Sequence, residues 1–366
     1  TSSNISVARH PLEAPRIAVV HNWMNTQPEG WYRLALEECK VPYAYISDAV
    51  IRETPDLRSK FDVIILPPST PNLARLINGV PKRMLPDGTE AGNPIPWEKS
   101  DLTPSFGLGP DQTSDTRGGF DFSGLANMKK FTEDGGLLIT ISSSSVIPID
   151  TGITDTVSIA PTPQLHARGS IFNATVEDSH SPVVYGYDTT VPVYFNQAPV
   201  FRVSLTGGGG FGGGGGGGED GGMRGKTSGR GSVTDPNIPQ GRPWSPPPAA
   251  EHRTRAEQEL YIPPELQEYA SPYVPPKSLW PRVLLRFASE KNLWVSGMLD
   301  GGSELAESPA IVDVPVGRGH VILFAINPMW RQITQGSFML VLNAAMNYDH
   351  LNDTNASAGK ASEGEE

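Results

Sequence analysis

Short apolar runs alternate with an amphipathic stretch along the first part of the chain. Residues 16–21 are rich in β-branched residues and predict a strand, and the apolar period then changes to about 3.6 over residues 29–39, which predicts a helix. Two further strands are predicted at 43–46 and 61–66, and the second must end where a pair of prolines follows it. Strands that alternate with helices indicate parallel pairing.

Turn signals then dominate residues 69–120, where Pro86-Asp87-Gly88 is one of several that predict a surface excursion with little regular structure. A helix is predicted over 121–133, and a strand over 137–141 follows it. Both faces of this strand are apolar, which is typical of a strand at the centre of a sheet. The strand leads directly into a run of four serines that begins at Ser142.

The second half of the chain changes character twice. Extended segments are predicted at 183–187 and 191–203, and a glycine-rich tract over 207–222 then has too few side chains to bury an apolar face. Strand patterns resume after this tract, and the glycines at 317 and 319 predict a hairpin turn. The remaining predicted elements are strands at 282–287, 293–297, 310–314 and 320–325, and an amphipathic helix at 335–348.

These elements together predict an α/β fold with one doubly wound, mostly parallel sheet and extra antiparallel strands. The 39 Gly and 35 Pro are concentrated in two stretches, which indicates long insertions within one domain. The predicted organisation is an N-terminal extension at 1–15, a single domain at 16–351 with insertions at 69–120 and 206–281, and an acidic tail at 352–366. The second insertion is expected to be flexible because it is glycine-rich.

Charge and apolar run length limit the partners that the chain is expected to have. The formal net charge is -11, whereas nucleic-acid binding relies on clustered Lys and Arg, so no nucleic-acid partner is expected. No apolar run approaches the roughly 18 to 20 residues that cross a bilayer, so no membrane span is expected. Cys39 is the only cysteine, which excludes an internal disulfide and a cysteine-rich zinc site.

Polar and aromatic residues follow several of the predicted strands. In an open parallel sheet, the loops at the carboxyl ends of the strands converge and bind ligands. This rule selects candidate ligand-binding residues after the first, third, fourth and last strands, namely His21, Asn22, Trp23, Ser69, Ser142, Ser143, Asn327 and Trp330. The alternative interpretation is structural, with the two tryptophans packed on the core and the serines forming turns.

No complete catalytic pattern surrounds these candidates in the sequence. A serine nucleophile needs a sharp strand-to-helix turn, a histidine within reach and backbone donors, but the serine run has no G-x-S-x-G and no glycine directly after it. Neither H-E-x-x-H nor a pair of histidines four residues apart occurs. We therefore assign no catalytic residue and no metal ligand from the sequence.

The order of the elements, with Gly135-Gly136 before an apolar central strand and a late hairpin with a glycine turn, resembles the class I glutamine amidotransferase-like fold, a flavodoxin-like arrangement. The resemblance implies a cysteine just after the central strand and a His-x-Glu pair late in the domain. Here Ser142 follows that strand, no His-x-Glu occurs, and Cys39 lies in the first predicted helix. The chain thus resembles a degenerate member of this fold, and fold alone says little about function.

A second resemblance covers the chain from Arg16 to Leu351. It is carried by Val295-Ser296-Gly297-Met298-Leu299, by residues 310–321 and by Asn327-Pro328-Met329-Trp330-Arg331, which look like the C-terminal region of large bacterial zinc carboxypeptidase-like proteins of the metallocarboxypeptidase family. The resemblance implies a bacterial protein exported to the periplasm or the extracellular space. It also implies that zinc belongs to an upstream peptidase domain, so no cofactor is expected in this chain.

Three functions remain open from the sequence. The first is a non-catalytic accessory domain that captures substrate or packs on the upstream peptidase domain, or on a cleaved fragment of it. The second is a structural, self-assembling extracellular protein, a homo-oligomer in which the Gly/Pro-rich arms wrap a neighbouring protomer. The third, which has the least support in the sequence, is a serine hydrolase that uses the run beginning at Ser142.

Overall fold

The computed structural model describes residues 11–23, 25–80, 115–205 and 274–352, together with short pieces between residues 83 and 113 and residues 259–262. In chain order its strands are β1 (Ile17–His21), β2 (Ala44–Ser47), β3 (Val63–Leu66), β4 (Arg83–Met84), β5 (Glu90–Ala91), β6 (Leu137–Ile141), β7 (Val157–Ile159), β8 (Ser170–Val176), β9 (Thr190–Phe195), β10 (Phe201–Val203), β11 (Arg282–Phe287), β12 (Trp294–Ser296), β13 (Pro309–Val316) and β14 (Gly319–Phe324). Its helices are α1 (Gln27–Glu38), α2 (Asp48–Glu53), α3 (Leu73–Asn78), α4 (Asp121–Glu133), α5 (Val146–Asp150), α6 (Glu290–Leu293) and α7 (Phe338–Met346).

Five parallel strands form one half of the main sheet. Their order is β2-β1-β3-β6-β14, and each is hydrogen-bonded in parallel to its neighbours in this series. This is the order of a flavodoxin-like sheet, in which the direction of winding reverses between β1 and β3. All residues of β1, β3 and β6 are buried, as expected for strands covered on both faces.

Antiparallel strands form the other half of the sheet. β13 pairs with β14, β11 pairs with β13, and β8 pairs with β11, β12 and β9. The turn between β13 and β14 requires glycine at 317, because φ there is +60° and a Cβ atom would lie 2.6 Å from the Cα of Glu133. The predicted α/β fold class, with its parallel sheet and extra antiparallel strands, is therefore confirmed.

Several elements differ from the sequence prediction. The segment predicted as extended at 183–187 begins with a 3-10 turn, Pro182–Val184, whose first turn is capped by the Ser181 hydroxyl. The extended run predicted at 191–203 is divided into β9 and β10. Strand β8 was not predicted, although its alternating burial is the usual pattern of a strand with one face on the core. The last helix begins at Phe338, after a short 3-10 turn.

The predicted excursion at 69–120 is more ordered at its two ends than the turn signals indicate. Helix α3 buries Leu76, and the N–H of Phe120 donates to the Leu76 carbonyl at 2.9 Å. Gly79 makes this approach feasible, because its φ is +70° and a Cβ atom there would lie 2.1 Å from the Arg117 carbonyl oxygen. The excursion thus begins and ends at the same place on the domain.

Most of the predicted insertion at 206–281 lies outside the described residues. One described residue within it, Glu259, contacts the sheet through Arg286 of β11, with 2.8 Å between Glu259 Oε2 and Arg286 Nη2. Both side chains are 8% exposed, so this ion pair is shielded from solvent. Among the residues that the structure describes, no helix is long and apolar enough to cross a bilayer.

Asp62 joins the amino-terminal ends of three central strands. Its carboxylate accepts hydrogen bonds from Arg16 Nε at 2.9 Å, from the Arg16 main-chain N–H at 2.8 Å and from the Arg58 guanidinium. Its main chain donates to the Arg16 carbonyl and accepts from the Leu137 N–H, both at 2.9 Å. Burial opposes ionisation of this carboxyl, but the two guanidinium groups outweigh it and lower the pKa of Asp62 to about 2.

Replacement of Asp62 by Asn should therefore destabilise the fold at neutral pH. A carboxyl whose pKa falls on folding stabilises the native state above its unfolded pKa, and this contribution is lost as the pH falls through the folded pKa. We expect D62N to lower the free energy of unfolding at neutral pH by about 2 kcal/mol, measured in urea. The difference from the wild-type chain should shrink between about pH 4 and about pH 2.

The matched control is D134N, which removes a carboxylate from an exposed ion pair with Lys130 and should change the unfolding midpoint little. A D62N variant as stable as the wild-type chain at neutral pH would contradict this role of Asp62.

Candidate ligand site at the carboxyl ends of the strands

The carboxyl ends of β1, β3 and β6 lie side by side where the winding of the sheet reverses. In doubly wound folds a crevice forms at this position, because the connections on either side run to opposite faces of the sheet. Three of the predicted candidates, Asn22, Ser69 and Ser143, are brought together here. We call them, with Ser144, the serine cluster.

Hydrogen bonds connect the members of the serine cluster to one another and to main-chain carbonyls. The Ser143 hydroxyl donates to the Ser69 carbonyl at 2.6 Å and accepts from the Ser69 N–H at 3.0 Å. The Asn22 amide donates to the Ser69 hydroxyl, and the Ser144 hydroxyl donates to the Pro67 carbonyl. The loop after β3 and the turn after β6 are thereby joined.

Ser142 occupies the first position after β6 and has strained backbone geometry. Its φ is +51°, a left-handed value that is uncommon for residues other than glycine. No sharp turn is expected here from the sequence, because no glycine accompanies the serines, and that expectation is wrong. The Ser142 side chain is buried, and its hydroxyl donates to the Ala198 carbonyl at 3.1 Å.

Among the residues that the structure describes, the crevice above the serine cluster contains a small cavity. Its cavity has a volume of about 10 Å³ and is lined by His21, Asn22, Ser69 and Ser144 together with apolar side chains. A cavity of this size holds about one water molecule. A ligand larger than water does not fit in this cavity unless the loop after β3 moves.

His21 belongs to a buried polar group that the sequence did not reveal. Its Nδ1 lies 3.6 Å from Glu29 Oε1, and the Tyr45 hydroxyl donates to the same carboxyl oxygen. The Arg33 guanidinium lies 4.1 Å from the centre of the Tyr45 ring. Glu29 could be mistaken for a solvent-facing residue of an amphipathic helix, but it is 3% exposed.

Burial controls the ionisation of Glu29. It raises the pKa of this carboxyl to about 8, against the hydrogen bond from Tyr45 and the charge of Arg33, while nearby Asp48 adds to the rise. Burial and the hydrogen bond to Glu29 also raise the pKa of Tyr45. At neutral pH Glu29 therefore carries a proton, and His21 faces a neutral carboxyl.

Trp23 covers this buried group. Its ring packs edge-on against His21, with 4.4 Å between the ring centres, and lies 5.7 Å from the ring of Trp97. Trp23 is half-buried. These contacts agree with the interpretation that Trp23 packs on the core. Part of its indole remains accessible to solvent at the carboxyl ends of the strands.

Asn327 and Trp330 lie in a second group, built on α1 and β9. The Asn327 side-chain oxygen accepts a hydrogen bond of 2.6 Å from the buried Tyr32 hydroxyl. The main-chain N–H of Asn327 donates to the Tyr194 carbonyl. Trp330 stacks on Tyr194, with 6.1 Å between ring centres and an angle of 20°, and packs edge-on against Trp31 at 6.3 Å. We call Trp31, Tyr194 and Trp330 the aromatic shelf.

The structure thus separates the eight predicted residues into distinct environments. Asn327 fastens α1 to the loop after β14, and burial raises the pKa of its partner Tyr32 well above the usual range. Trp330 is half-buried on the shelf, while the serine cluster lies deeper at the ends of β3 and β6. The assignment of these residues as ligand-binding remains a prediction.

Metal-ligating side chains do not cluster in the part of the chain that the structure describes, where no group of three or more His, Cys, Asp or Glu residues is arranged to hold an ion. The sequence does contain one His-x-x-Glu spacing, from His10 to Glu13. His10 lies outside the described residues. Cys39 is exposed at the end of α1.

No protein-family model matches the chain, and no curated protein matches it. Solved structures with a similar backbone include a β-galactosidase from Bacillus circulans sp. alkalophilus, with 10% identity and a TM-score of 0.41, over 91% of this chain and 30% of that chain. A protein from Thermoplasma acidophilum that is named as part of a GMP synthase has 10% identity and a TM-score of 0.41, over 92% and 94% of the two chains. A ThuA-like protein from Bacteroides uniformis has 8% identity and a TM-score of 0.39, over 94% of each chain.

This chain therefore spans less than a third of the β-galactosidase and nearly all of the other two proteins. The fold class is established by the strand order of the sheet itself.

The raised pKa of Glu29 predicts that its contribution to stability changes with pH. The pKa rises on folding from its ordinary value of 4.5 to about 8, so the folded chain holds a proton that the unfolded chain releases within this window. Stability must then fall as the pH rises from about 4.5 to about 8. We expect E29Q, which keeps a neutral side chain at this position, to show a shallower fall in the free energy of unfolding between about pH 5 and about pH 8.

The matched control is E53Q, because Glu53 has a side chain that is 70% exposed. This variant should reproduce the pH dependence of the wild-type chain. An E29Q variant whose stability falls as steeply as that of E53Q would show that Glu29 is ionised at neutral pH.

Proposed function

We propose that this chain is a non-catalytic accessory domain of an exported, zinc carboxypeptidase-like protein, which packs on the peptidase domain or captures its substrate. The observation that carries the proposal is the state of the serines after β6. A serine becomes a nucleophile when its proton passes to an adjacent base. The hydroxyls of Ser142, Ser143 and Ser144 instead donate to the main-chain carbonyls of Ala198, Ser69 and Pro67, which cannot serve as bases.

The closed crevice supports the same proposal. Enzymes on this type of sheet hold their substrates at the carboxyl ends of the strands. Here the cavity that the described residues form at that position has a volume of about 10 Å³. A cavity of this size is too small for a substrate to react inside it. It agrees better with a role in which the surface around the cavity binds or packs against a partner.

The rim offers suitable side chains for packing on another domain. Trp330 of the aromatic shelf is half-buried, and Ile333, whose main-chain N–H donates to the Trp330 carbonyl, is 48% exposed. Exposed apolar patches mark surfaces that bind other proteins, and aromatic residues are enriched in such interfaces. Residues 327–331 are also among those that resemble the C-terminal region of zinc carboxypeptidase-like proteins, so the proposed parent and the proposed docking surface involve the same loop.

The proposed parent predicts the size and the chemistry of the native protein. Purification from its natural source, followed by intact-mass measurement and N-terminal sequencing, should give a species larger than 39.4 kDa, or a larger precursor. Peptidase activity of that species should be lost on removal of zinc with a chelator and retained in the S142A variant. A native protein of 39.4 kDa whose turnover is abolished by S142A would contradict the proposal.

A serine hydrolase is the second candidate, and one observation favours it. The positive φ of Ser142 directly after a central strand is the kind of backbone strain that is found at active sites. In this alternative the Ser142 hydroxyl would have to leave the Ala198 carbonyl before reacting. The arms of the self-assembling alternative lie mostly outside the described residues.

A further inference from the structure

An open groove lies on the antiparallel half of the sheet, between β8, β9, α6 and β12. Its volume is about 670 Å³, within the range of roughly 300–1,000 Å³ that is usual for small-molecule sites. Its polar and aromatic lining includes Asn173, Thr175, Thr190, Lys291, Asn292 and Trp294. The groove shares none of its lining residues with the cavity at the serine cluster.

The floor of the groove follows from the alternation of side chains along β8. Phe172 and Ala174 are fully buried in the core, so Asn173 and Thr175 point to the opposite face of the strand. Thr190 of β9 lies opposite Thr175 in the antiparallel pair and adds a second hydroxyl beside it. The floor is therefore a row of neutral polar groups.

Internal hydrogen bonds hold this floor in place. The Asn173 amide donates to the Asn292 carbonyl at 2.8 Å, and the Thr175 hydroxyl donates to the Arg286 carbonyl at 3.3 Å. The Ala288 N–H donates to the Asn173 carbonyl at 2.9 Å. An asparagine amide can make up to four hydrogen bonds, so Asn173 can hold α6 and still bind a ligand.

Trp294 forms a fixed aromatic wall. It is 58% exposed, although an indole is among the most apolar side chains. Its Nε1 donates to the Gly297 carbonyl at 2.9 Å, and its main chain pairs with Phe172 of β8. Gly297 is required for this geometry, because its φ is +92° and a Cβ atom there would lie 2.7 Å from the Ser170 hydroxyl.

The chemistry of the lining indicates the class of ligand. The polar groups are amides and hydroxyls, which both donate and accept hydrogen bonds, and the residues that line the groove include one cation, Lys291, and no carboxylate. A matching ligand carries many hydroxyl groups along its edges and an apolar C–H face that can lie on an indole. We propose that the groove binds a neutral oligosaccharide, with one sugar ring stacked on Trp294 and its hydroxyls bonded to Asn173, Thr175 and Asn292.

The proposal is tested by calorimetric titration of the purified chain with chitohexaose, cellohexaose, maltohexaose and xylohexaose, and with polygalacturonate as an anionic comparison. We expect at least one of the four neutral sugars to bind with a Kd of roughly 10 μM to 1 mM, and W294A to weaken that binding by about tenfold or more. W294F keeps an aromatic ring and should recover part of the affinity. Circular dichroism and thermal unfolding of each variant show whether its fold is intact.

The matched control is M298A, because Met298 is 59% exposed and does not line the groove. Its affinity should equal that of the wild-type chain. The proposal is overturned if none of the four neutral sugars binds at concentrations up to about 10 mM. It is also overturned if W294A binds as tightly as the wild-type chain, or if binding is confined to polygalacturonate and is lost in K291A.

Discussion

Two hydrogen bonds between the Ser143 hydroxyl and the main chain of Ser69 close the edge at which a sheet of this type usually binds its ligand. They fasten the loop after β3 to the turn after β6, and the Asn22 amide extends the connection to the end of β1. The small cavity follows from this closure, since the loop lies over the point where the winding reverses. A separate hydrogen bond, to the Ala198 carbonyl, occupies the Ser142 hydroxyl that a serine hydrolase would need for chemistry.

Two other places present partly exposed tryptophan side chains on a rigid support. One is the aromatic shelf, where Trp330 is supported by Tyr194 and Trp31 above the loop that Asn327 fastens to α1. The other is the groove beside Trp294 on the antiparallel half of the sheet. Both depend on strands or helices for their rigidity, so a partner that binds there meets a surface whose shape is already set.

Elements with strong local signals could be predicted from the sequence. Helix α4 and strand β6 have the predicted bounds. Residues 121–133 have the apolar spacing of a helix, residues 137–141 form an apolar run typical of a buried strand, and the glycines between them separate the two elements. The burial of Glu29 could not be predicted, since it depends on Tyr45 and His21, which reach it from neighbouring strands. The backbone of Ser142 was also unpredictable, because its geometry is fixed by long-range contacts such as the bond to the Ala198 carbonyl. Topology was enough to place the eight candidate residues at the carboxyl ends of the strands. Only the tertiary structure separates the serine cluster from the buried group around His21 and from the residues near the aromatic shelf.

Because main-chain carbonyls hold the hydroxyls of Ser142, Ser143 and Ser144, we expect none of these three serines to act as a nucleophile. The most direct measurement is mass spectrometry of the folded chain after treatment with a fluorophosphonate, which labels activated serine hydroxyls irreversibly. We expect no adduct on Ser142, Ser143 or Ser144, with a serine hydrolase labelled in parallel as the positive control. A stoichiometric adduct on Ser142 that disappears in S142A would show instead that this hydroxyl is activated.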